Sequence, residues 1–317
     1  MPRATNALTR QWPDSFADRL TAPLPRLRDV LRILREGGFR ANAGDADRIP
    51  VLRSGLPAVA AEDVALTWVG HASYLVRMGG ASVLADPVWS TKIPGVSVRL
   101  TPPGVAWSEL PAIDAVVISH NHYDHLDAPT LKRLPADTPM LVPAGLGVWC
   151  RRRGFRRVIE LDWWESAEVG GLRFDFVPAH HWSRRGLFDS CRSLWGGWVI
   201  TDRHGRRVYH AGDTGYGHWF GQIGERYPGI DVAMMPIGAY APRWFMRPVH
   251  MDPDEAITAA GEVGARRLAT MHWGTFRLTQ EPLIEPLDRV RKGWADTGHD
   301  RDDLWDLAVG ETRLLRS

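Results

Sequence analysis

Cysteine is nearly absent from this sequence of 317 residues, which contains only Cys150 and Cys191. The two lie far apart and match no spacing of a thiolate zinc site or a redox motif. The chain is therefore not a small secreted domain held together by disulfides. We expect two free thiols in a reducing compartment.

Long apolar runs and an excess of one charge are also missing. The N-terminal stretch MPRATNALTRQWPDSF lacks the apolar centre of a signal peptide, and no uninterrupted apolar span approaches the roughly twenty residues of a membrane helix. The 39 basic and 37 acidic side chains give a formal charge of +2, unlike a polybasic nucleic-acid binder. The sequence predicts a cytoplasmic protein that binds no nucleic acid, with peripheral contact at the inner membrane surface left open.

The composition, 44% hydrophobic and 24% charged, is that of an ordinary globular enzyme with a large core. Residues 1–60 are punctuated by prolines and are predicted to form an extension with one amphipathic helix, from Leu24 to Glu36. Its leucines lie on one face with arginines around them, so the helix can lie on an anionic membrane or pack on the body of the protein. Packing is the favoured prediction. Residues 61–317 are predicted to be the main domain.

Strand and helix patterns alternate through this main domain. From Val64, three strands are predicted, with a turn at Gly79-Gly80 and an end at Asp86-Pro87. Further short apolar runs that indicate strands lie at residues 115–118, 140–143, 156–161, 231–238 and 307–314. Helices are predicted to begin at Pro129 and near Asp252, and to cover residues 283–294. The alternation indicates an α/β fold.

The most distinctive stretch is residues 119–127, with the sequence SHNHYDHLD, which directly follows an apolar run. His120 and His122 point to the same side of an extended backbone, and Asp124 and His125 can face a second point as the chain turns. The C-terminal end of a buried strand is where open α/β sheets place their chemistry. Imidazole and carboxylate ligands suit zinc or, less selectively, iron or manganese. The stretch therefore predicts a metal site.

More candidate ligands follow later strands. His180 and His181 end a predicted hairpin, and spacing alone does not choose between them. Asp213 is preceded by a glycine and followed closely by another, so its backbone can approach a metal. His272 follows another predicted strand. His71 lies beside a glycine turn, where a structural role is the simplest interpretation.

The His-x-His-x-Asp-His pattern resembles the signature of the metallo-β-lactamase fold superfamily. The strings TWVGHAS, ISHNHYDHLD, HHW, GDTGY, PIGAYAPRWFM, HMDPDEA and HWGTF resemble, in particular, the N-acylphosphatidylethanolamine-hydrolysing phospholipases D and their bacterial relatives. The resemblance covers about Val64 to Phe276. It implies a four-layer αβ/βα sandwich with the site at one edge, between the two halves.

The resemblance also implies roles for residues of this sequence. It implies two zinc ions, or other divalent transition metals, with His120, His122 and His181 on one ion, Asp124, His125 and His272 on the other, and Asp213 bridging both. Asp86 is expected to brace the histidine loop without binding metal. Asp124 and His250 are expected to act in catalysis, His250 at the substrate phosphate. Contacts with the substrate are expected from Trp182, Arg184 and His71, since guanidinium groups suit phosphate.

These features together predict a dinuclear zinc hydrolase of the phospholipase D type, which cleaves N-acylphosphatidylethanolamine or a related phospholipid through a hydroxide between the ions. A lactonase acting on a phosphorylated sugar lactone fits the same ligands. A non-catalytic, membrane-associated protein that retains the fold is a further alternative. An iron oxygen reductase would need a carboxylate in place of His122, and a nuclease would show a more basic surface or an added domain. The resemblance also hints at a homodimer.

Overall fold

The computed structural model describes residues 10–38 and 44–317, so the first nine residues of the predicted extension and residues 39–43 lie outside the described part. In chain order the strands are β1 Val64–Gly70, β2 Ser73–Met78, β3 Ala81–Ala85, β4 Lys92–Ile93, β5 Ser97–Val98, β6 Ala115–Val117, β7 Met140–Pro143, β8 Val158–Leu161, β9 Ser166–Val169, β10 Leu172–Val177, β11 Gly197–Thr201, β12 Arg207–His210, β13 Val232–Pro236, β14 Leu268–Met271, β15 Leu304–Trp305 and β16 Thr312–Leu315. The α-helices are α1 Leu27–Arg35, α2 Ala128–Leu131, α3 Gly147–Arg151, α4 Trp219–Arg226, α5 Arg243–Met246, α6 Pro253–Glu262 and α7 Glu285–Asp296. Short 3-10 helices lie at Ala17–Arg19, Ala46–Arg48, Trp107–Glu109 and Arg301–Asp303.

Two seven-stranded mixed sheets form the centre of the described chain. Sheet one has the order β16-β1-β2-β3-β6-β7-β8, antiparallel as far as β3 and parallel from β3 to β8. Sheet two has the order β15-β14-β13-β12-β11-β10-β9, parallel from β15 to β12 and antiparallel beyond. Each sheet thus contains parallel strands whose C-terminal ends share an edge.

The alternating side chains of β6 show how the layers are packed. Ala115 and Val117 face the core between the two sheets, where they join residues such as Phe176 and Trp198. Val116 and the following Ile118 face the opposite side, in a second core with α2 and α3. On the other side, α6 packs against β13 and contacts α4 and α7. The order of layers is the predicted αβ/βα sandwich.

Helix α1 differs from the favoured prediction. The helix is shorter than predicted, and Leu27, Leu31 and Leu34 are exposed, Leu27 to 74%. The helix contacts the body through the buried Ile33 and through Arg32, whose guanidinium lies 4.0 Å from the ring centre of Trp244. Of the predicted leucine face only Leu24, before α1, packs on the body, so packing of Leu27, Leu31 and Leu34 is wrong. Ile33, the cation–π contact and a hydrogen bond from Trp244 Nε1 to Glu36 Oε2 at 3.2 Å hold the helix in place.

The segment before α1 is nevertheless part of the core. Phe16 is 1% exposed and packs in the core between the sheets. Its backbone N–H donates to the carbonyl of Cys191 at 2.7 Å. Cys191 and Cys150 are both buried and unpaired, as the sequence predicts. Within the described residues, no helix has the length and apolar character needed to cross a bilayer.

The closing strand predicted at residues 307–314 is confirmed only from Thr312, because the C-terminal segment divides between the sheets. β15 pairs with β14 in sheet two, whereas β16 pairs with β1 in sheet one. Gly310 makes the break: its φ is +93°, and a Cβ there would lie 2.1 Å from the carbonyl oxygen of Leu52. Only glycine fits that position without strain.

Candidate metal centre

The candidate residues meet where four strands end. His120 follows β6, His181 follows β10, Asp213 follows β12 and His272 follows β14. These ends lie at one edge of the two facing sheets. Trp198 of sheet two supports the end of β6, since its indole N–H donates to the carbonyl of Ile118 at 2.9 Å. The fold therefore brings together side chains that lie up to 152 positions apart in the sequence.

The first cluster consists of His120, His122, His181 and Asp213, whose potential ligand atoms all lie within 4.8 Å of one another. His120 Nε2 is 2.8 Å from His122 Nδ1, and His181 Nε2 is 3.2 Å from that same nitrogen. Of the two candidates left open by spacing, the structure brings His181 to the cluster. The ring of His180 turns away, and its Nδ1 lies 2.8 Å from Thr21 Oγ1.

The second cluster consists of His71, Asp124, His125 and His272, again with potential ligand atoms within 4.8 Å. Asp213, a member of the first cluster, also faces the second. Its Oδ2 is 3.2 Å from His125 Nε2 and 3.9 Å from His120 Nε2, while Oδ1 is 3.1 Å from His272 Nε2. One carboxylate therefore faces both groups of imidazoles.

The chemistry of the first cluster fits a divalent metal ion. Burial lowers the pKa of His122 to about 4 and holds the pKa values of His120 and His181 well below the ordinary range. The three imidazoles are therefore neutral near pH 7, which is the form that binds metal. Nε2 of His120 and Nε2 of His181 both approach Nδ1 of His122. The other nitrogens of His120 and His181 bond the Ser119 hydroxyl and the Val249 carbonyl, which orients the two rings.

The second cluster fits a cation for a different reason. Burial alone would lower the pKa of His272, but Asp213 and Asp124 outweigh it and raise the pKa to about 9. The same two carboxylates raise the pKa of His125 against the effect of its burial. Nε2 of both rings and Oδ1 of Asp213 are buried without a hydrogen-bond partner among the described residues. A divalent ion there would supply the positive charge that the carboxylates favour and would pair these atoms.

Asp86, for which the resemblance implies a bracing role, is hydrogen-bonded to the start of the histidine loop and to His125. Its Oδ1 accepts the backbone N–H of Ser119 at 2.7 Å, and its Oδ2 accepts the Ser119 hydroxyl at 2.6 Å. Oδ2 also lies 2.8 Å from His125 Nδ1 and 3.0 Å from His210 Nε2. All four residues are buried. Hydrogen bonds of this kind fix the orientation of a metal-binding imidazole.

His210 is a supporting residue that the sequence did not single out. It ends β12, three positions before Asp213, and its ring points to Asp86 across the two sheets. The local signal was a histidine in the strand that leads to the Gly-Asp turn. Nothing in the sequence pairs it with a carboxylate 124 positions earlier.

His250 lies beside the clusters on the side of His181 and His272. Its ring centre is 5.3 Å from each of theirs, and it forms a third compact group with Asp213 and His272. Burial lowers the pKa of His250 to about 3, so its ring is neutral near pH 7.

His71 differs from the prediction that it contacts the substrate. It is 1% exposed, and its Nε2 lies 2.9 Å from Asp124 Oδ2. Its backbone carbonyl accepts the N–H of His272 at 3.0 Å. The residue therefore supports Asp124 and the turn that carries His272, from within the second cluster.

An open depression of about 560 Å³ lies beside His122 of the first cluster. It is lined by His122, Tyr123, Trp182, Arg184, Arg185, Gly186 and Leu187. The ring of Trp182 lies 4.9 Å from that of His122, so the structure brings Trp182 and Arg184 to the mouth of the site. Leu187 is 78% exposed at the rim. The opening thus combines cationic and apolar side chains.

Comparison with known proteins agrees with the geometry. Residues 81–273 match the family described as the beta-lactamase superfamily domain. An N-acyl-phosphatidylethanolamine-hydrolyzing phospholipase D of Caenorhabditis elegans is 40% identical over 244 residues, which cover 71% of this chain and 68% of that protein. An uncharacterized protein of Mycobacterium tuberculosis is 43% identical over 73% of this chain, which spans 64% of that relative's length.

Among solved structures, a metallo hydrolase of the archaeon Ignicoccus hospitalis has the same fold. It superimposes with a TM-score of 0.61 at 23% identity, and the match covers 80% of this chain and 99% of the other. The sandwich, the family match and the relative from Caenorhabditis elegans agree with one another. The chain belongs to the metallo-β-lactamase fold superfamily, in the branch that contains the N-acylphosphatidylethanolamine-hydrolysing phospholipases D.

Proposed function

We propose that the protein is a metal-dependent hydrolase and, more specifically, a dinuclear zinc phosphodiesterase that cleaves N-acylphosphatidylethanolamine or a related phospholipid. The observation that carries the proposal is the opening beside the first cluster, where the exposed guanidinium of Arg184 lies next to apolar side chains. A phosphodiester with acyl chains matches both parts of that lining. The printed name of the relative from Caenorhabditis elegans supports the same class of substrate.

The two clusters divide the ligands in this proposal. The proposed ligands are His120, His122 and His181 for one ion, Asp124, His125 and His272 for the other, and Asp213 for both. When bound, the two ions would lower the pKa of a water molecule and neutralise charge on the phosphoryl oxygens. Asp124 is held by His71 and would orient the attacking water. The water oxygen would form the new bond to phosphorus, the bond from phosphorus to the alcohol oxygen would break, and the proton given up by the water would end on the departing alcohol.

The residues around the clusters would orient the substrate. Arg184 would bind a phosphate oxygen at the mouth, while Trp182 and Leu187 would contact apolar parts of the lipid. The ring of His250 is neutral near pH 7 and would donate a hydrogen bond from its N–H group to a phosphoryl oxygen. We include other divalent transition metals as substitutes for zinc, because the ligand set contains only imidazole and carboxylate.

The test measures metal content and products on the same sample. We expect about two zinc ions per chain, and release of N-acylethanolamine and phosphatidic acid from N-acylphosphatidylethanolamine. The Arg184→Gln variant should raise KM about tenfold with little change in kcat, because a charge-assisted contact to the bound phosphate is lost. Arg192→Gln is the matched control, since Arg192 is exposed in the same segment and does not line the opening.

A small phosphodiester and a phosphorylated sugar lactone are assayed in parallel. If only the lactone is hydrolysed, the protein is a lactonase and not a phospholipase, and the proposed metal site is unaffected. Absence of bound metal from the wild-type protein would contradict the hydrolase altogether and would leave the non-catalytic alternative. The homodimer stays a prediction.

We further propose that α1 contacts the surface of an anionic membrane. Leu27, Leu31 and Leu34 are exposed beside the arginines of the same helix. The leucines can enter the apolar interior of a membrane while the arginines contact its negative headgroups. Replacement of Leu27 and Leu31 together by Asp should reduce co-sedimentation with phosphatidylglycerol vesicles severalfold. Turnover of a soluble short-chain diester should stay as in the wild type.

The matched control for α1 is Val96→Asp, because Val96 is 61% exposed in the turn between β4 and β5. The control should sediment with vesicles as the wild type does. Equal loss of sedimentation in both variants, or in neither, would contradict a membrane role for α1.

A further inference from the structure

Two arginines follow the His181-Trp182 segment, and the structure gives them different surroundings. Arg184 is exposed, and its Nε donates to the carbonyl of Gly186 at 3.0 Å. Arg185 turns inward to the loop that carries His122, Asp124 and His125. Its Nη1 donates to the carbonyl of Asn121 at 3.1 Å and to the carbonyl of Leu126 at 2.8 Å. One nitrogen therefore joins the two ends of the loop.

Aromatic rings hold this guanidinium in place. Its central carbon lies 4.0 Å from the ring centre of Tyr123 and 5.3 Å from that of Trp149. The backbone N–H of Arg185 donates to Asp189 Oδ1 at 3.0 Å, which fixes the start of the side chain. A planar guanidinium that is stacked and anchored in this way loses little further freedom when it forms its hydrogen bonds.

Few hydrogen bonds lie within the loop itself, although Asp86 holds His125 and His71 holds Asp124 from outside it. Inside it, the N–H groups of His125 and Leu126 both donate to the carbonyl of His122, at 3.2 and 2.9 Å. The carbonyls of Asn121 and Leu126 belong to buried residues and accept from Arg185 alone among the residues the structure describes. Without Arg185, two buried acceptors would be unpaired and the direct link between the two ends of the loop would be lost.

We propose that Arg185 is a positioning residue that closes the loop of residues 121–126 and thereby sets the affinity for metal, while Arg184 contacts the substrate. The inference rests on the proposed ligand set but not on the identity of the substrate. Arg184 and Arg185 are adjacent and of the same chemical type, but they have different proposed roles because they have different contacts. Partners of this kind typically change metal affinity about 10- to 100-fold when they are removed.

The experiment is a competitive titration of the metal-free protein with zinc, followed by kcat and KM at saturating zinc. Arg185→Met keeps the length of the side chain and removes the donors. We expect its zinc affinity to fall about 10- to 100-fold, with kcat recovered by excess zinc and KM unchanged. Arg184→Met is the matched control, and should keep the wild-type zinc affinity while its KM rises.

Zinc affinity equal to that of the wild type in Arg185→Met would overturn the inference, and a raised KM in the same variant would make Arg185 a substrate contact. If circular dichroism shows that Arg185→Met is unfolded, Arg185→Lys is titrated in its place. The ammonium can still reach one carbonyl but lacks the planar stacking, so weakened zinc binding supports the inference and wild-type binding contradicts it. A wild-type protein that binds no zinc would instead show that the ligand set itself is wrong.

Discussion

Asp213→Ala is expected to reduce the bound metal to less than one ion per chain and to lower kcat by about three orders of magnitude or more. Asp213 is the carboxylate that faces both clusters, with oxygens 3.2 Å from His125 Nε2, 3.1 Å from His272 Nε2 and 3.9 Å from His181 Nε2. Its removal leaves neutral and cationic imidazoles close together without the negative charge that offsets a second cation. The measurement is elemental analysis after gel filtration, combined with the phosphodiesterase assay.

The partial variant for this position is Asp213→Asn, which keeps the size of the side chain and one acceptor oxygen. It should retain more metal than the alanine variant and recover some activity at high zinc concentration. Full metal content in Asp213→Ala would show that the two clusters bind their ions independently of the carboxylate between them.

Asp86→Ala is expected to lower the free energy of unfolding by about 3–5 kcal/mol, because it leaves the hydrogen-bonding partners of a buried charge unpaired. The partners are the backbone and hydroxyl of Ser119 and the rings of His125 and His210, around a carboxylate that is 0% exposed. Zinc affinity should fall as well, since His125 loses the acceptor that orients it. Urea unfolding and the zinc titration measure the two effects separately.

The stability effect of Asp86 should also depend on pH. Burial alone would raise its pKa, but His125 and His210 outweigh burial and lower it below the ordinary value of 3.8. The difference in unfolding free energy between wild type and variant should therefore be fully present above about pH 4 and should shrink as the pH falls further.

Asp175 provides the matched control for Asp86. Asp175 is a buried carboxylate of β10 that is bonded to Arg173 and lies outside the clusters. Asp175→Ala should lower stability without changing zinc affinity. A wild-type zinc affinity in Asp86→Ala would contradict the bracing role.

Most members of the two side-chain clusters could be predicted because they lie in local patterns at strand ends. Four ionisable side chains lie within six positions after a buried strand, and Asp213 and His272 follow strands of their own. The choice of His181 over His180 needed either the resemblance or the structure. Its physical basis is the contact of His180 with Thr21, 159 positions away, which no spacing could reveal.

Contacts between distant segments account for what the sequence did not predict. The bonds of His210 to Asp86 and of Arg185 to the loop carbonyls join residues that share no periodicity. The amphipathic pattern of α1 was correct, but a pattern shows only that a helix has an apolar face and does not say what covers it. The exposed leucines of the helix follow from its tertiary position alone.

The division of the C-terminal segment at Gly310 has a consequence for how the molecule unfolds. β15 ends one sheet and β16 ends the other, with only a few residues between them. Because the connecting segment is short, detaching the edge strand of one sheet would pull on the edge strand of the other. Both sheets also share the core that contains Phe16. The two sheets should therefore melt in a single cooperative transition, and neither half should be stable as a separate fragment.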